Sequence, residues 1–164
     1  MTGEAIHACP VGEARALSHG EEQLARSVFG DAIDYARVSI WRRKFFPFQP
    51  RAVTMAPRGN LHFHPLGESY CDDFSTARPT RQALFIHEMT HVWQVQTRGQ
   101  WFLLLHRMPW ARYDYSFKPG WKLTDYGIEQ QAMIVQHAFT LRHGGKVPGA
   151  PALEQYLSLL DFAA

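Results

Sequence analysis

Leu84-Phe85-Ile86-His87-Glu88-Met89-Thr90-His91-Val92-Trp93-Gln94 is the stretch that decides how this chain is read. Its apolar residues fit a helix, and on a helix His87 and His91, four positions apart, project from nearly the same face. Two imidazoles so placed can share one divalent cation. Glu88 then lies beside the pair, where a carboxylate can take a proton from water. With nine histidines in 164 residues, the pattern arises by chance about 0.02 times in such a chain. Two unmetallated histidines on a core helix are the plainer alternative, but such a pair repels itself on protonation.

Working outward, Thr80 after Pro79 is a candidate N-cap and Gly99 a candidate stop, giving a motif helix over 80–98. Upstream, Ser18-His-Gly-Glu21 has capping-box spacing and opens a first helix that Gly30 ends. Residues 1–16 show no period and are expected to be a flexible lead-in, followed by one domain over 17–164. Between 36 and 64 the pattern turns β-rich, at 36–41, 52–56 and 60–64, with turn chemistry at Pro57-Arg58-Gly59-Asn60; a small antiparallel sheet is expected. Leu61-His62-Phe63-His64 suits an edge strand that an extended peptide can pair with, and equally an ordinary half-buried strand. The run at 101–108 is too short to classify. Thr124 is a candidate cap for a second strong helix from Asp125 to about His143, with Ile128, Ala132, Val135 and Phe139 as its stripe. A shorter helix is expected over 152–160. Long helices beside a small sheet make the class α+β.

Composition excludes several functions. Seventeen basic residues against 15 acidic ones are too balanced to imply nucleic acid or an acidic membrane surface as the principal partner. The cation-and-ring run Trp41-Arg-Arg-Lys-Phe-Phe-Pro-Phe48 suggests nucleic-acid or membrane contact, and a strand end with a solvated basic face explains it as well. Cys9 and Cys71 alone build neither a disulfide scaffold nor a thiolate metal site. With no apolar run long enough to span a bilayer and no leader pattern, membrane insertion is not expected; a cytoplasmic location is, with export left to a specialised machine.

A catalytic zinc takes three protein ligands as a rule, so the histidine pair calls for a third donor. Glu129, early in the second strong helix, is the first choice, ahead of His106 and His137. The metzincin pattern fails, because Gln94 and Thr97 stand where it needs glycine and histidine. Tyr113, Tyr115, Tyr126 and His62 are open candidates for stabilising an oxyanion. Trp110, Tyr113, Tyr115, Phe117 and Trp121 either line a cleft or pack.

His87-Glu88-x-x-His91 with Glu129-x-x-Ala132 resembles the gluzincin group of zinc peptidases. Over about Leu24 to His143 the chain also resembles bacterial Vgr-related proteins of Rhs and Vgr secretion systems, through Arg26–Tyr35, Phe85–Gln94 and Tyr126–Ala132. The resemblance implies a minimal zincin-like domain whose motif helix packs on a glutamate-bearing helix. It further implies Zn2+ on His87, His91 and Glu129, Glu88 as general base, and a peptide or protein substrate. A non-catalytic adaptor on a secretion spike is the alternative. Gluzincins commonly carry an aspartate four residues after the ligand glutamate; here that position is Met133, which leaves Asp125 or Asp114 to orient a zinc histidine.

Overall fold

The first helix starts where its cap stands. In the computed structural model, which describes residues 8–106 and 110–162, the Ser18 hydroxyl accepts from Glu21 N at 3.0 Å, and the Glu21 carboxylate accepts from Ser18 N at 2.9 Å. These two bonds satisfy donors that α1 (His19–Phe29) would otherwise leave open. Gly30 ends it with φ of 55°, a conformation that costs a residue with a Cβ.

The lead-in expected over 1–16 is corrected in part. Residues 1–7 lie outside the described residues, but Ala14–Ala16 form β1, antiparallel to β2 (Ser39–Trp41). An ion pair holds this short strand, and no periodicity announces it. The Arg15 guanidinium grips the fully buried Glu21 carboxylate through two bonds of 2.7 and 2.8 Å and donates to Cys71 O at 3.0 Å. Glu21 also accepts from Phe74 N at 2.9 Å, so one buried carboxylate ties β1, α1 and the loop before the motif helix together.

The sheet is mixed where an antiparallel one was expected. β3 (Leu61–His62) runs parallel to β2, with Ile40 opposite Leu61. The long excursion from 42 to 60 brings the chain back in the same direction, as a parallel pair requires. The stretch 52–56 contributes only a bridge, Met55 to His62, with bonds of 3.1 and 2.7 Å. Pro50 and Pro57, which lack N–H donors, flank it and curtail the ladder. That bridge covers the outer edge of β3 at His62, so peptide pairing at this position is closed.

α2 runs over Pro79–Arg98. Its N-cap is Arg78 and Pro79 takes the first helical position, where a missing N–H costs nothing; Thr80 therefore lies inside the first turn. Gly99 closes the helix with φ of 97° and donates to Val95 O at 2.7 Å. α3 (Phe102–His106) follows. α4 spans Ile128–Arg142, later than expected, because Thr124 belongs to a 3-10 turn over Leu123–Asp125. The cap is Gly127, whose N–H is taken by Gln130 Oε1 at 2.9 Å. α5 is confined to Leu153–Leu157.

Every residue from Phe85 to Val92 is buried, which makes α2 the central helix, with α4 packed along it. Phe63, Phe74 and Phe85 form a stack with centroids 5.3 Å apart at each step, joining the residue after β3 to the motif helix. Cys9 and Cys71 are both free thiols. Among the described residues no helix is long and apolar enough to cross a membrane.

Candidate metal centre

The packing of α4 on α2 decides the site. His87 and His91 present their rings from successive turns of α2, with centroids 5.1 Å apart. Glu129, in the first turn of α4, meets them: its Oε2 lies 3.3 Å from His87 Nε2 and 3.2 Å from His91 Nε2. All three are buried, and their ligating atoms lie within 4.8 Å of one another. Glu88 is 5% exposed and, with the trio, lines a cleft of about 240 Å³. Ala52, Val53, Thr54, Leu84, Tyr113 and Gln136 complete its walls. Burial alone would raise the Glu129 pKa, but hydrogen bonds from His87 and His91 overcome it and hold the carboxylate well below its ordinary range. His91 is buried too, and is nevertheless shifted upward by Glu129, with Glu88 and Gln94 adding to the effect.

Two residues that the pattern analysis missed orient the centre. Gln94 Nε2 donates to Ile128 O at 3.0 Å and to Gln131 Oε1 at 3.0 Å. Gln131 in turn donates to Tyr126 O at 2.7 Å. Backbone carbonyls can only accept, so both amide orientations are settled. Gln94 Oε1 therefore faces His91 Nδ1 at 2.9 Å as an acceptor, which places a hydrogen on Nδ1. The lone pair of a neutral His91 then lies on Nε2, directed at a carboxylate oxygen that repels it. A proton or a cation must stand between them, and in this respect the donor set fits zinc. Gln94 follows His91 by three residues on one helix, a spacing that was readable as a contact.

Among the described residues neither aspartate expected to orient a histidine is hydrogen-bonded to one. Asp125 accepts from Lys122 N at 2.7 Å, and Asp114 offers its backbone oxygen to Gln130. His106, exposed on α3, bonds Phe102 O and is not among the converging donors. His137 is held by Tyr115 at 2.6 Å, and the Tyr115 hydroxyl also meets that of Tyr156 at 2.7 Å. Tyr126 accepts from Lys118 N, and His62 stacks on Trp41. Of the four oxyanion candidates, Tyr113 is the one on the cleft wall. Tyr115 and Phe117 pack on Tyr156, Trp121 packs on Tyr126, and Trp110 is exposed.

Fold and site thus define a small α+β domain in which a helix with paired histidines packs against a helix bearing a buried glutamate. The effector domain of Pseudomonas aeruginosa VgrG2b has the same fold, with a TM-score of 0.71 and 35% identity over 98% of this chain and 88% of that one. This chain belongs to the family of that effector domain. It is also 45% identical over 134 residues, 76% of its length, to the type VI secretion system spike protein VgrG2b of P. aeruginosa strain PAO1, of which the match spans 13%. No protein-family model matches.

Proposed function

We propose that this chain is a zinc-dependent peptidase domain that serves as an effector of a type VI secretion spike. The observation that carries the reading is the convergence of His87 Nε2 and His91 Nε2 on one Glu129 oxygen, beside Glu88 and at the wall of a cleft. His87, His91 and Glu129 are the residues that would hold the ion. When bound, zinc supplies a Lewis acid that polarises a peptide carbonyl and acidifies water. Glu88 accepts the water proton and delivers it to the departing amine. Tyr113, which lines the cleft, is the candidate we assign to donate to the oxygen on which charge develops. The buried Thr54 hydroxyl on the same wall has no hydrogen-bond partner among the described residues, which suits a polar ligand such as a peptide backbone.

Zinc content of the purified chain, and turnover of a peptide library by wild type and Glu88→Gln, test the proposal. About one zinc per chain, with cleavage only by wild type, is expected; a metal-free chain, or equal turnover by both, overturns it. The identity to a segment of a spike protein favours a second reading, in which the domain docks on the secretion apparatus without hydrolysis. Capture of spike components by both forms, with neither cleaving any peptide, supports that reading.

A further inference from the structure

The charges of this chain are balanced in sum and segregated in place. Residues 35–67 and 89–113 contain none of the 15 aspartates and glutamates. The first stretch carries Arg37, Arg42, Arg43, Lys44, Arg51 and Arg58, and the second includes Arg98 and Arg112. The fold joins these stretches. The Arg58 guanidinium lies 5.8 Å from the Phe45 ring centre and 5.1 Å from that of Trp101, and Gly59 packs toward Val95. Arg98 covers Phe102 at 5.1 Å, and Arg43 covers Trp41 at 4.6 Å. Lys44 and Arg51 both bear on His64, whose pKa is lowered by desolvation first and by these cations next.

Large apolar side chains stand out from the same cationic region. Phe48 is 87% exposed, Leu105 72%, Trp101 54% and Phe46 38%. Side chains exposed to this extent project from the surface, and the Arg58 guanidinium lies over one of them, Trp101. Protruding tryptophan, phenylalanine and leucine within a field of arginine and lysine suit a boundary between anionic headgroups and acyl chains. A nucleic acid engages the cations and stacks bases on rings such as Phe48 and Trp101, but leaves the aliphatic Leu105 in water; a bilayer engages all three. Ala52–Thr54 of the cleft wall lie inside the first acid-free stretch, and Tyr113 ends the second.

We infer that the face formed by Phe46, Phe48, Trp101 and Leu105 with Arg43, Arg51 and Arg58 binds the surface of an anionic phospholipid bilayer, peripherally and without spanning it. The contact is separate from the proposed chemistry, and Glu88→Gln leaves it unchanged.

Co-sedimentation of the full chain with vesicles tests this inference. Vesicles with about 30% phosphatidylglycerol in phosphatidylcholine should retain the protein, pure phosphatidylcholine should not, and about 0.5 M salt should weaken retention. Phe48→Ser with Leu105→Ser, and separately Arg43→Glu with Arg51→Glu, should each lower partitioning by ~tenfold or more. All four residues are exposed or border solvent, and unchanged circular dichroism and Tm show that the variants fold. Tryptophan fluorescence should shift to the blue on anionic vesicles and be quenched by brominated acyl chains. Equal retention by both vesicle types, no retention, or loss in the charge variant alone with wild-type binding to the apolar one overturns the inference. The last pattern, with comparable binding to single-stranded DNA, marks a plain polycation surface.

Discussion

Gln94 accepts the Nδ1 hydrogen of His91 at 2.9 Å and is itself anchored to the first turn of the facing helix through Ile128 O. One amide therefore orients a candidate ligand on α2 and registers α2 against α4. His87 has no counterpart: its Nδ1 is buried without a hydrogen-bond partner among the described residues.

Gln94→Ala should accordingly cost roughly 10- to 100-fold in zinc affinity, the usual effect of losing such an orienting group. Gln94→Glu, which keeps an acceptor, should retain more of it. Chelator competition measures both; an alanine variant with wild-type affinity would show that Gln94 does not orient the ligand.

In chelator-treated protein, pH should act through His91 and Glu129 in opposite ranges. His91 is raised in the folded state, so its contribution is full below about pH 6.5 and is lost as pH climbs through the higher folded value. Glu129 is depressed, so its contribution is present above about pH 4.5 and is lost as pH falls toward its folded value. The Tm of the metal-free form should fall above about pH 6.5, while zinc affinity rises over the same range because the ion replaces a proton. A metal-free Tm that climbs across that interval contradicts this account.

Tyr113→Phe should lower kcat by about 10²-fold with little change in KM, if the hydroxyl donates to developing charge. Zinc content should be unaffected, since Tyr113 is a wall residue and no part of the trio. Steady-state kinetics on a cleaved peptide decides, and an unaltered kcat removes Tyr113 from the chemistry.

Glu21→Ala leaves Arg15 without its carboxylate and strips an acceptor from Ser18 N and Phe74 N. Removing one partner of a buried pair of this kind costs about 3–5 kcal/mol. Urea unfolding should show a lower midpoint of that size at unchanged m value; a loss below about 1 kcal/mol would place the pair among ordinary surface bridges.

Local patterns carried much of the fold. The Ser18 and Glu21 box, the stop at Gly30 and the extent of α2 to Gly99 all depend on contacts within a few residues, and the structure has each of them. Thr124 shows the limit of such reasoning: it has a cap's chemistry, but Asp125 closes a tighter turn on Lys122 and the helix waits for Gly127. β1 escaped notice because a three-residue strand has too few positions to show a period, and its anchor, Glu21, is recognisable only once the chain has folded. The direction of β3 depends on a 19-residue excursion from 42 to 60, which no local signal encodes.

Helical spacing determined, without any folded structure, that His87 and His91 share a face and that Glu88 lies beside them, because 3.6 residues per turn is a property of the backbone. Tertiary packing decided which carboxylate meets that face, which amide sets the ring, and that two acid-free stretches far apart in the chain lie side by side. Those outcomes follow from how apolar helix faces pack, and packing brings together residues whose separation along the chain carries no signal.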